Sequence, residues 1–160
     1  MFLPGQKSLQ RIASKAKRSA FMSSDFTYED MQPDDPNNYS FSAPRSDTLD
    51  GHDCFVIDVT PATAEAKKQS SYGRRRAWVR KDIYFTVKIE FYDRRDRLIK
   101  TQTCHDLKNS HDDVWYAQKI LMENHKKNHK TLMGIKTKDV NIPIDDALFS
   151  EKTILNRKHL

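Results

Sequence analysis

Histidines, two cysteines and several adjacent carboxylates are the residues of this 160-residue sequence whose types could do chemistry. His125-x-x-x-His129, with Glu123 beside it and His105 and His111 elsewhere, would suit zinc if a helix set both imidazoles on one face. Asn124, Lys126, Lys127 and Asn128 instead predict a hairpin turn, which loses that geometry, so no metal is expected. Cys104-His105 offers a nucleophile beside a base, but neighbours in a strand point to opposite faces. Asp34-Asp35, Asp112-Asp113 and Asp145-Asp146 all fall in turns or caps and give no convergent acid and base. With glycine only at Gly5, Gly51, Gly73 and Gly134, no phosphate-cradling loop or nucleophile elbow can be assembled. The expectation is a chain that is not an enzyme, with no catalytic residue and no cofactor.

Charge raises other partners. Lys and Arg number 28 against 22 Asp and Glu, a net charge of +6, and the basic residues cluster at Arg74-Arg75-Arg76, between Tyr72 and Trp78, and at Arg94-Arg95 with Arg97. Aromatics interleaved with arginine could stack unpaired bases. The same charges protect strand edges and solvate turns, or attract anionic lipid or an acidic protein. Solvated surface ranks first, lipid or partner second, and nucleic acid last, so no nucleic-acid partner is expected. Cys54 and Cys104 do not decide the redox compartment, and their pairing depends on strand register. No run of about 18 apolar residues could form a membrane-spanning helix, and Met1 to Arg18 lacks the apolar stretch of a secretory signal.

The elements that must position these residues are strands. Phe85, Val87, Ile89 and Phe91 alternate with Thr86, Lys88 and Glu90, and Phe55, Ile57 and Val59 alternate with Val56 and Asp58, the period of a half-buried strand. Turn clusters at Leu49–His52, Asp93–Asp96, Asn109–Asp112 and Asn124–Asn128 divide the chain into a meander. Its strands are expected at Tyr39–Asp47, Asp53–Thr60, Arg74–Arg80, Ile83–Tyr92, Arg97–Asp106, Val114–Glu123 and His129–Val140. A helix of at most two turns is expected over Ser24–Met31, capped by Ser24 and stopped by Pro33. Residues 32–38 read as a linker to the meander. A single turn after Asp145 would tuck Leu148 and Phe149 under the sheet. Met1–Pro4 and Ser8–Ala13 read as two strand fragments without partners, leaving an exposed edge and suggesting that residues 1–160 are one domain cut from a longer chain.

Phe2-Leu3-Pro4, Arg11-Ile12-Ala13 and the run Phe21 to Met31 are followed by Asp50-Gly51-His52-Asp53-Cys54, Val56-Ile57, Thr60-Pro61 and Trp78-Val79. Then come Lys88 to Asp93, Met122 to His125, His129-Lys130-Thr131, Ile144-Asp145-Asp146 and Leu148-Phe149. In this order they resemble the outer-membrane lipoprotein-sorting proteins of the LolA-like superfamily. The resemblance implies a mainly β fold: an open, curved antiparallel half-barrel whose concave face is covered by one or two short helices. It also implies a non-enzymatic periplasmic carrier for lipoprotein acyl chains or another hydrophobic ligand, with the signal peptide and first strands preceding Met1. Phe55, Ile57, Val59, Phe85, Val87, Ile89 and Phe91 would line the concave face, with Phe26, Tyr28 and Met31 as the lid. The plainer reading, that the same side chains are simply the core of a sheet packed on a helix, ranks ahead of an acyl cavity, because every sheet needs such a face. The alternative role is an envelope interaction module that pairs through its sheet edge with an inner-membrane transporter or another protein. An edge-paired dimer would use the same surface.

Overall fold

The computed structural model describes residues 2–3, 8–9, 17–110, 114–150 and 153. Two strands, β1 (Phe2–Leu3) and β2 (Ser8–Leu9), pair with each other antiparallel. The two N-terminal fragments, expected to lack partners before them, thus pair with each other. Residues 10–13 of the second fragment, and the Asn109–Asp112 turn from 111 onward, lie outside the described residues.

The main sheet has eight antiparallel strands. They are β3 (Tyr39–Phe41), β4 (Arg45–Leu49), β5 (His52–Pro61), β6 (Arg74–Arg80), β7 (Thr86–Tyr92), β8 (Leu98–Asn109), β9 (Trp115–Asn124) and β10 (His129–Gly134). From β5 to β10 each strand pairs with the next, and the sheet does not close into a barrel. The expected strand Tyr39–Asp47 is two strands on one edge of β5, with Phe41 opposite Val59 and Asp47 opposite Cys54. Between them the Ser42 N–H donates to Asp58 O (3.0 Å) and Ser42 Oγ accepts from the Asp58 N–H (3.1 Å). Pro44, which has no N–H to give, follows in the gap. The tight β4–β5 turn uses Asp50 (φ 50°) and Gly51 (φ 78°), the left-handed pair that a two-residue hairpin needs.

Strand β7 begins at Thr86 rather than Ile83, because Tyr84 is left-handed (φ 50°) and breaks the extended run. A register shift between Trp78 and Val79 against β7 then disturbs the alternation there. A second irregularity, opposite Phe91 and Tyr92, admits Ile99 to the core. At Gly73 a Cβ would lie 2.7 Å from Asp93 O and 2.9 Å from Arg94 Cα, so the chain entering β6 can pass the β7–β8 turn only without a side chain.

Ser24–Met31 is not a helix. Phe21 N–H donates to Phe26 O (2.7 Å), Ala20 bridges Thr27, and Tyr28 N–H donates to Ser19 O (3.2 Å), which makes residues 17–31 an irregular hairpin. Local side chains outcompete helical bonding: Ser24 Oγ donates to Phe21 O (2.5 Å), and Asp30 Oδ2 accepts from the Thr27 N–H (2.7 Å). Helix α1 (Ala64–Gln69) was not anticipated, although Thr63 caps it through the Ala66 N–H at 3.1 Å. The late turn exists as a 3-10 helix, Asp146–Phe149, capped by Asp145 at 2.8 Å. Leu148 and Phe149 nevertheless stay exposed instead of tucking under the sheet.

Candidate functional site

Strand register sorts the side chains onto two faces. One face carries Phe55, Ile57 and Val59 from β5, and the row Ile57, Ala77, Ile89, Gln102, Met122 crosses five strands on it. The 17–31 hairpin docks on the β8–β10 end of this face. There Phe26 (3% exposed), Tyr72, Phe91 (2%), Ile99 and Met122 (0%) form the main core, with Phe21, Ile89, Ile120 and Met133 packed against it. At the other end Phe55, Ile57, Val59 and Val79 are half-buried and Phe41 is exposed, so an apolar surface continues outward from the core.

Asp25 anchors the hairpin. Its buried carboxylate accepts from Thr131 Oγ (2.7 Å) and Asn124 Nδ2 (3.2 Å) and lies 2.6 Å from His129 Nδ1. Its carbonyl accepts from Lys100 Nζ (2.7 Å), which also reaches Tyr72 Oη (3.2 Å) and Asp30 Oδ2 (3.4 Å). The Tyr72 hydroxyl donates to Asp30 Oδ1 (2.7 Å). Burial and Asp30 together push the Tyr72 phenol up. Burial also opposes the Asp25 carboxylate, but Thr131, His129 and Asn124 outweigh it and hold the carboxyl below its ordinary 3.8.

The opposite face is ionic. Asp58 accepts from Arg76 Nε (2.8 Å), Arg74 Nη1 (2.9 Å) and Arg45 Nη2 (3.1 Å), and Arg76 above all brings its carboxyl down to about 2. Arg74 also pairs with Asp96 (2.7 Å) and stacks 3.8 Å over the Tyr92 ring. Arg75 turns to the docked face, 2.7 Å from Asp34 and 4.8 Å over Tyr39. The basic cluster read from sequence is thus paired within the chain, as surface and edge charges often are. Below it lies a smaller core of Cys54, Val56 and Trp78, with Trp78 Nε1 donating to Asp47 Oδ2 (2.9 Å).

Asp25 and Asp58 both hold their protons less tightly folded than unfolded. The stability they contribute is therefore complete above about pH 4 and drains away as pH falls towards 2. Urea midpoints measured from pH 7 to 2.5 are expected to drop in this window, and to drop less in the Asp25→Asn/Asp58→Asn double variant. A wild-type midpoint that stays flat to pH 2.5 would contradict the assignment.

The residues picked from sequence are divided by the fold. Phe55, Ile57 and Val59 share the half-open end of the docked face, with Lys81 Nζ 5.1 Å over the Phe55 ring. Phe85 lies just before β7 and is half-buried. Val87 packs against the Cys54, Val56 and Trp78 cluster of the opposite face, where the register shift directs it. Ile89 and Phe91 join the main core. Phe26 is core as well; Tyr28 stands edge-on to Phe21 (5.5 Å), and Met31 is 40% exposed. His125 Nε2 meets Thr101 Oγ (2.8 Å) and His129 meets Asp25, so the two imidazoles do not converge. Cys54 and Cys104 are free thiols on opposite faces, and burial pushes the Cys104 thiol up to about 11. A concavity of about 180 Å³ is polar, lined by residues such as Glu29, Asp34, Tyr39 and Gln69.

Three solved structures are similar in fold. A candidate outer-membrane lipoprotein-sorting protein domain from Vibrio parahaemolyticus is 30% identical with a TM-score of 0.87, over 96% of this chain and 64% of that one. A DUF1329 family protein from Desulfovibrio piger is 28% identical with a TM-score of 0.82, over 96% and 62%. A LolA superfamily protein from Nitrosomonas europaea is 20% identical with a TM-score of 0.60, over 85% and 60%. A family model described as "-like: Uncharacterized protein" matches residues 1–156. The chain belongs to that family, and its fold is LolA-like. No curated protein matches it. The LolA-like chain spans less than two thirds of the length of each of these three structures.

In this LolA-like chain, sequence reasoning missed Asp25 and Lys100. The partners of the Asp25 carboxylate lie 99 to 106 residues away and leave no local trace. Lys100 did leave one: register puts it opposite Phe91, on the face that buries its neighbours.

Proposed function

We propose that the LolA-like chain is a non-enzymatic periplasmic protein that binds lipoproteins or other acylated, hydrophobic ligands through the half-open end of its docked face. The observation that carries this reading is the continuity of one apolar surface. It runs from Phe41, Phe55, Ile57 and Val59 inward to Ile89 and the sealed core, on a fold shared with a candidate lipoprotein-sorting domain. An acyl chain laid along that row would gain about 0.8 kcal/mol per buried methylene.

The test is displacement of a fluorescent fatty acid by unlabelled acids of decreasing chain length. Affinity is expected to weaken with each pair of carbons removed, and Ile57→Asp is expected to weaken it about tenfold or more by placing a charge in the row. Displacement that is absent, or independent of chain length, would overturn the reading. A second reading rests on the open sheet, whose β10 edge has, among the described residues, a strand partner only on the β9 side. That edge could add a strand from an envelope protein, a transporter or a second copy. Association without acyl displacement would favour it.

A further inference from the structure

The β7–β8 turn, the end of α1 and Arg18 of the docking hairpin meet at one end of the sheet. They border a shallow, open cleft of about 240 Å³ lined by Arg18, Ser70, Ser71, Arg94, Arg95 and Arg97 around Asp93. Three of the four guanidinium groups are held in place. Arg18 Nε donates to Gln69 O (3.0 Å) and Arg94 Nη2 to Lys67 O (2.8 Å), so carbonyls at the C-terminal end of α1 fix two of them. Arg97 forks onto Asp93 through Nε (2.9 Å) and Nη2 (2.7 Å), and Asp93 also accepts the N–H groups of Arg95 (2.9 Å) and Arg97 (3.1 Å). Arg95 alone spends none of its side-chain donors among the described residues.

The charges do not cancel. Asp93 is engaged by Arg97, with Lys126 Nζ 3.8 Å away, and Glu29 is engaged by Ser70 Oγ (2.5 Å) and the Ser71 N–H (2.9 Å). Four guanidinium groups and Lys126 against these two carboxylates leave an excess of three positive charges, while Asp96 of the same turn is paired with Arg74 (2.7 Å). Planar forks with fixed orientation and unused N–H groups match an oxyanion that can accept several hydrogen bonds at once. No aromatic ring lines the cleft, which disfavours a nucleobase.

We propose that this cleft is a binding site for a phosphate-class oxyanion, separate from the apolar face and independent of whether that face carries acyl chains. The group could be free phosphate or the phosphodiester of a lipid headgroup, and two arms of one experiment separate them. Inorganic phosphate is titrated calorimetrically into the full chain at low salt. In parallel, the chain is sedimented with phosphatidylcholine vesicles with and without phosphatidylglycerol.

Arg95→Glu tests the site without touching a fold contact, and Lys108→Glu, near the far end of β8, makes the same change in net charge. Arg95→Glu is expected to weaken binding about tenfold or more, the loss of a charge-assisted hydrogen bond, while Lys108→Glu stays near wild type. Phosphate heat abolished by Arg95→Glu identifies free phosphate as a ligand; phosphatidylglycerol-dependent sedimentation abolished by it identifies the lipid headgroup. Binding in neither arm, or equal loss in both variants, overturns the proposal.

Discussion

Asp25→Ala is expected to lower the free energy of unfolding by about 3–5 kcal/mol, the cost of breaking one side of a buried charged network. For a chain of this length that is roughly 10 °C in Tm. The reason is geometric. One 4%-exposed carboxylate holds Thr131, Asn124 and His129 at once, and removing it leaves Asn124, itself 8% exposed, with a lost acceptor in the interior. His129→Ala removes an exposed partner of the same carboxylate and is expected to cost less than about 1 kcal/mol. Thermal or urea unfolding followed by near-ultraviolet circular dichroism reads both. Asp25→Ala within 1 kcal/mol of wild type would show that the hairpin docks by apolar contact alone.

Phe91→Ala is expected to cost about 3–5 kcal/mol by opening a cavity in the main core. The Phe91 ring is 2% exposed and packs against Tyr72 with centroids 4.7 Å apart. The folded fraction should still bind a fluorescent fatty acid as wild type does, whereas Ile57→Asp should weaken binding. The pair separates two duties that alternation along a strand cannot tell apart. Weakened acyl binding with unchanged stability in Phe91→Ala would make Phe91 a ligand contact.

The sheet was legible in the sequence because a period of two is local: Phe55, Ile57 and Val59 face together as their spacing predicts. What escaped was whatever breaks that period. The register shift sends Val87 to the opposite cluster, and the left-handed Tyr84 shortens β7; neither carries a turn residue of the usual kind. Ser24, Thr27 and Asp30 look like a helix start because side chains that cap helices are also those that hold irregular turns. Helix α1 was available to a reader, since Thr63 precedes Ala-Glu-Ala-Lys-Lys-Gln, all good helix formers. The half-open apolar end was legible as a face, but not its division between core and surface, which depends on where a hairpin from the other end of the chain docks.

That docking also sets a clock during synthesis. Asp25 and Thr131 are 106 residues apart, so the hairpin leaves the ribosome long before the strand that anchors it. At about 5–20 residues per second the wait is on the order of 5–20 s. Through that interval Phe26 and Phe21 have no β9 or β10 to cover them, and the nascent chain must be kept from sticking to its neighbours. Closure of the longest-range contacts comes last, as expected where order depends on distant pairings. The 17–31 hairpin is fixed in place only when β10 returns to it.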